Sequence, residues 1–181
     1  MIANIVHISL NPRGGSERLA VAVIQALSKI GIDIDLTTFE EPNVSKLESA
    51  YGEVATSAIK KIKTITIIDS IGKAEINKRY DLTINTHGDM LPYFSKSNSI
   101  TYCHFPLAKY LIDSKDPEYY RFLKGRILST TINYTNPSTK YFDVASIAYA
   151  NMLKSSTVIS NSEFSRRVIS YDQTVSYIFP G

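Results

Sequence analysis

The sequence has one cysteine, Cys103, and no tryptophan. A single thiol cannot close an intrachain bridge, so stability has to come from a packed core. A chain of 181 residues buries roughly two-thirds of its unfolded surface, enough to hold one compact domain without disulfides or a structural metal. No apolar run approaches the roughly 18 to 20 residues needed to cross a bilayer as a helix. No basic leader or small-residue cleavage site accompanies the alternation of Ile2, Ile5, Val6 and Ile8. The start therefore reads as a strand, and the expected location is the cytoplasm. Charge of one sign is also scarce. The formal net charge is +3, and basic residues are dispersed apart from pairs such as Lys60-Lys61 and Arg166-Arg167. That argues against a nucleic-acid partner and leaves only a weak attraction to anionic lipid or phosphate. What the chain has in excess is tyrosine, twelve in all. Many fall between Tyr93 and Tyr149, where the rings either pack or line a sugar site or membrane-facing surface.

Along the chain, short apolar runs alternate with helical periodicity. A strand is expected over 2–10, broken by Asn11, Pro12, Arg13, Gly14 and Gly15. Ser16 then reads as the N-cap of a helix, with Glu17 at its positive end and Leu19, Ala20, Val23, Ile24 and Leu27 at helical spacing until Gly31. A second strand over 32–39 completes a βαβ unit, whose strands should be parallel. The pattern continues with a helix over 46–62, a strand over 64–68, a short helix over 74–80, and strands over 81–86 and 100–104. An irregular helical excursion over 106–134 and a helix over 139–153 follow. A strand over 156–160, a helix over 163–169 capped by Asn161 and Ser162, and a strand over 175–179 end the order. The fold class this implies is α/β, a Rossmann-like doubly wound, mostly parallel sheet in a single domain over 1–181.

In open α/β sheets ligands bind beyond the carboxyl ends of the strands. Three loops there carry chemistry. In the first, Gly14 and Gly15 let a ligand approach the backbone, and the following helix points its N–H groups at an anion such as a pyrophosphate. The alternative is a plain tight turn, and the spacing is not the G-x-G-x-x-G dinucleotide fingerprint. The second loop carries His87, Gly88 and Asp89. Two ligands are too few for a typical metal site, so His87 and Asp89 either contact a sugar hydroxyl or cap the next turn. In the third, Tyr102 and His104 end an apolar strand, and Pro106 turns the chain away. His104 either bonds a sugar hydroxyl and assists proton transfer or is structural. Cys103 faces the other way and is expected to be buried.

Five segments in order resemble the N-terminal domain of family 4 glycosyltransferases: GGSERLAV at 14–21, YDLTINTHGD at 80–89, YCHFP at 102–106, VISNSEFSRRVI at 158–169 and FPG at 179–181. The first and third particularly resemble mannosyltransferases that extend dolichol-linked oligosaccharides on the cytosolic face. The resemblance implies the N-terminal half of a GT-B fold. It further implies a retaining hexosyltransferase that moves mannose or glucose from a nucleotide-sugar to a glycan or lipid-linked acceptor, with no cofactor and no metal. On that likeness Gly14 and Gly15 lie against the donor diphosphate, and His104 acts as the catalytic contact to the transferred sugar. His87, Asp89 and Tyr102 meet sugar or acceptor, Ser162, Glu163 and Arg167 give support, and 106–134 forms acceptor surface. Glu17 and Arg18 read as helix-start residues. The family's donor-binding domain, with its pair of glutamates, is expected beyond Gly181. The isolated chain is thus expected to be inactive, with that domain or a partner subunit as its partner and a peripheral contact at the cytosolic membrane face. Two alternatives stay open: a non-catalytic sugar-binding or regulatory module, and a nucleotide-dependent oxidoreductase or epimerase with Glu40 or Glu41 at a ribose.

Overall fold

A computed structural model describes residues 1–65, 80–94, 97–126, 140–169 and 176–177. The fold class is α/β, an open parallel sheet with intervening helices in the Rossmann-like doubly wound manner. The described residues fall into two compact units, one of 1–65 with 80–87 and the other from residue 88 onward.

In the first unit, β1 (Ile2–Val6), α1 (Gly15–Lys29) and β2 (Asp33–Thr38) form the expected βαβ unit. Two short helices follow, α2 (Val44–Tyr51) and α3 (Val54–Ser57), then β3 (Ile59–Thr64) and β4 (Leu82–Asn85). The strand order is β3-β2-β1-β4. Ile5 sits opposite Leu36 on one side and Ile84 on the other, which makes β1 a central strand. Ile5, Leu10, Ala20, Ile24, Ile34, Leu36 and Leu47 form the buried core, so α1 covers the sheet with the face its spacing predicted. The helix ends at Gly31, whose φ of 76° suits a residue without a side chain.

Two expectations need correction here. The helix expected to start from Ser16 is capped by Gly14 instead, because the Glu17 side chain reaches back and accepts the Gly14 N–H at 2.5 Å. The helix expected over 46–62 stops at Tyr51, where Gly52 takes a φ of 82°, and its last part is the strand β3. Ile59 and Ile62 are three apart, a helical spacing. A register shift between Ile34 and Asp35 accounts for it: Ile34 pairs with Ile59 and Leu36 with Ile62, so Lys60 is the extra residue of a bulge. The strand then has helix-like periodicity without being a helix.

The second unit carries β5 (Ser99–Cys103), α4 (Leu107–Asp113), α5 (Pro117–Arg126), α6 (Lys140–Ser155), β6 (Thr157–Ser160), α7 (Glu163–Ile169) and β7 (Ser176–Tyr177). The pairings β5–β6 and β6–β7 are parallel. Cys103, Val158 and Ile169 pack against Leu153, which places the thiol in the core as its position on β5 implied. The expected helix at 74–79, the strand end at 66–68, residues 127–134 of the excursion and most of the strand at 175–179 lie outside the described residues.

Candidate functional site

The glycine turn leaves β1 and enters α1 through Arg13, whose φ of 62° is rare for a residue with a side chain. Glu17 organises the first turn of the helix. Its Oε2 accepts from the Gly14 N–H, and its Oε1 accepts from the Ser16 hydroxyl at 2.8 Å. Oε1 also lies 3.2 Å from Nε2 of His7, a residue 2% exposed at the end of β1. The other ring nitrogen of His7, Nδ1, is 3.0 Å from the Thr86 hydroxyl, which in turn lies 3.2 Å from the Val6 carbonyl. The Thr86 hydroxyl carries one proton and has two acceptors in reach, Nδ1 and the Val6 carbonyl. The Glu17 carboxylate only accepts, so Nε2 donates to it. Burial pushes the Glu17 carboxyl up, but bonds from Ser16, His7, its own N–H and Gly14 outweigh that and hold it below the ordinary glutamate range.

This cluster joins the ends of β1 and β4 to the start of α1. His87 stands beside it, with its ring 6.3 Å from the His7 ring at an edge-on 82° and its N–H donating to Asn85 at 3.2 Å. A Cβ added to Gly14 would come within 2.8 Å of Glu17 Oε2, whereas one on Gly15 would meet nothing within 4 Å. A side chain at Gly14 would thus push the Glu17 carboxylate aside, while Gly15 faces open space at the positive end of a four-turn helix. At the end of β2, Glu40 accepts from the Ser9 hydroxyl at 2.6 Å. Bonds from Ser9 and Asn11 hold its carboxyl low.

The second unit holds the remaining residues singled out in the sequence. Tyr102 and His104, two apart on β5 and its end, pack ring against ring at 4.8 Å and 61°. Asp89 turns inward at 1% exposure: Oδ1 accepts from the Ala108 N–H at 3.0 Å, and Oδ2 from the Lys109 N–H at 3.1 Å and the Tyr149 hydroxyl at 3.0 Å. It caps, as one of the two readings of the His87–Asp89 loop had it, but on a helix begun eighteen residues further on. Burial pushes its carboxyl above the usual aspartate range, and the two N–H groups and the hydroxyl offset that only in part. The thiol of Cys103 is likewise pushed up by burial and stays protonated.

Ser162 caps α7 by accepting the Ser165 N–H at 3.1 Å, and the Ser165 hydroxyl donates to the His104 carbonyl at 3.4 Å. Glu163 receives Arg166 through Nε at 2.8 Å and Nη2 at 2.6 Å, and Arg167 through Nε at 2.9 Å. Those bonds hold its carboxyl at about 2. Phe105 and Phe164 stack nearly parallel at 6.1 Å while staying 53% and 60% exposed.

The structure therefore brings Gly14 and His87 into one neighbourhood around His7 and Glu17, and Tyr102, His104 and Ser162 into another. His7 is the residue that sequence reasoning missed. Its signal was a histidine interrupting an apolar strand ten residues before a first-turn glutamate. Comparison of the chain with protein-family models, with curated proteins and with solved structures finds no match.

Proposed function

We propose that this chain is the acceptor-side half of a retaining, GT-B-type glycosyltransferase that passes mannose or glucose from a nucleotide-sugar to a glycan or lipid-linked acceptor. The observation that supports this reading most is the Gly14–Gly15 turn. It stands at the carboxyl end of a central parallel strand and opens a fifteen-residue helix, with open space in front of Gly15. A diphosphate there meets the first-turn N–H groups and the helix dipole without a side chain in the way. Glu17 already engages the Gly14 N–H, so Gly15 and Ser16 are the donors left for a ligand. His104, carried on the end of β5, is the group assigned to a hydroxyl of the transferred sugar. Tyr102 and His87 are assigned to further polar contacts, and Ser162, Glu163 and Arg167 to support of α7. Donor binding is assigned largely to a further domain or subunit, and transfer depends on the positioning that domain provides. No cofactor or metal enters the proposed reaction.

The test is His104→Ala made in the complete two-domain enzyme. Turnover is expected to fall by about tenfold or more, and near-normal turnover would remove His104 from the site. One observation favours a second reading, a nucleotide-dependent oxidoreductase. Glu40 lies at the end of β2, where an acidic residue meets a ribose in dinucleotide folds. Saturable binding of NADH or NADPH, followed by fluorescence, would favour that reading.

A further inference from the structure

His104 sits on a turn whose shape is imposed from outside. After Cys103 the chain makes a sharp bend in which the Leu107 N–H donates to the Phe105 carbonyl at 2.8 Å across Pro106. Pro106 has φ −80° and ψ 59°, the angles of an inverse γ-turn. α4 starts at once and is only seven residues long, too short to persist without tertiary support. Pro106 offers no side chain to cap it, and the first N–H groups of a helix have no partner within the helix. Asp89 supplies the missing acceptors, one oxygen for the Ala108 N–H and the other for that of Lys109. Tyr149, from α6, fixes the carboxylate in turn. Behind the bend, the Ser165 hydroxyl holds the carbonyl of His104 itself.

We propose that Asp89 is a positioning residue for His104: by anchoring the first N–H groups of α4 it fixes the bend from His104 to Pro106. The value of that positioning for catalysis rests on the proposed role of His104, whereas the positioning itself is a property of the fold.

The groups facing Asp89 make its charge consequential. Tyr149 from α6, Tyr119 from α5, Cys103 from β5 and Tyr93 surround it, and the Lys109 ammonium is turned to Asp113. Its anion is thus held by hydrogen-bond donors rather than by a cation. Burial raises its pKa, so a proton arrives before the acid range in which an exposed aspartate titrates. A protonated Asp89 has a donor where it had an acceptor: the Tyr149 hydroxyl, which both donates and accepts, can take that bond in reverse, and the two N–H groups are left with a neutral, weaker acceptor.

The experiment is NMR on the 181-residue chain, following the Ala108 and Lys109 amides and the His104 amide and ring signals from about pH 3 to about pH 7. The three residues are expected to share one transition with a midpoint above 3.8, the ordinary aspartate value. Asp89→Asn should abolish it and displace the His104 signals. Tyr149→Phe removes a bond to the charged form and should move the midpoint further up. If the two amides respond and the His104 signals do not, Asp89 caps a helix and positions nothing, and the proposal is overturned. Should Asp89→Asn fail to fold, Tyr149→Phe decides alone: His104 signals that do not follow the shifted midpoint overturn it. If His104→Ala leaves the complete enzyme active while Asp89→Asn still displaces the His104 signals, the functional reading falls and the positioning stands.

Discussion

Each of the two units buries a carboxylate at the start of a helix, and the two carboxylates are driven in opposite directions. Glu17 caps its own helix from three residues inside and draws on Gly14, Ser16 and the ring of His7. Asp89 caps α4 from nineteen residues away and draws on two main-chain N–H groups and one tyrosine. Both feel desolvation. Glu17 ends below its ordinary range because its donors outweigh burial, and Asp89 ends above because they do not. The local cap is thus strengthened when its carboxyl is charged, and the distant cap is a strut that tolerates its charge.

The largest expected effect comes from removing the strut. Asp89→Ala strands the Ala108 and Lys109 N–H groups and the Tyr149 hydroxyl. At about 1–3 kcal/mol for each buried group left unpaired, the loss is about 3 kcal/mol or more, read as a lowered urea midpoint. A loss under about 1 kcal/mol would mean that water reaches those donors and that the contrast with Glu17 is illusory.

The opposite shifts predict opposite pH slopes. Glu17 has a folded pKa below its unfolded value near 4.5. Its stabilisation is present above that value and is lost as pH falls through the lowered one. Asp89 has a folded pKa above 3.8. Its contribution is fullest below 3.8 and declines as pH rises through the raised value. The stability difference between the native chain and Glu17→Gln should therefore grow with rising pH in the acid range, while that for Asp89→Asn should shrink. Slopes of the same sign would break the comparison.

Gly14→Ala probes the local cap more gently. The φ of Gly14 is −85°, so alanine brings no backbone strain, and its Cβ conflicts with Glu17 Oε2 alone. A loss of about 1 kcal/mol is expected, the scale of a helix cap. Combining it with Glu17→Gln should cost less than the sum, because both changes break one interaction. Full additivity would show that Gly14 matters for some other reason.

These features were unequally legible in the sequence. The βαβ start, the glycine turn, the alternation that sets the fold class and the cap of α7 are local, and local patterns carry them. β3 was misread because a bulge gave Ile59 and Ile62 a spacing of three, and only pairing with β2 reveals the extra residue. Ser16 looked like the cap because residue type favours it, whereas Glu17 reaches past it to Gly14. The partnership of His7 with Glu17 and Thr86, and that of Asp89 with α4 and Tyr149, are set by the meeting of strand ends and helices distant in the chain. No spacing rule encodes a histidine at the end of β1 bonded to a threonine 79 residues on.

The smallest expected effect on stability is at Gly15, one residue from the glycine that Glu17 caps. A Cβ there meets nothing within 4 Å, and position N1 of a helix accepts a side chain readily. Gly15→Val should change unfolding stability by no more than about 0.5 kcal/mol, as a surface substitution does. If the donor diphosphate lies against this turn, the same change should weaken donor use in the complete enzyme, because the added methyl groups project into the space the phosphates would take. The pair Gly14→Ala and Gly15→Val then separates architecture from ligand contact across a single peptide bond. Gly14→Ala lowers stability through Glu17, and Gly15→Val raises the apparent KM for donor at unchanged stability. An unchanged donor KM for Gly15→Val would leave the turn as the cap of α1 and nothing more.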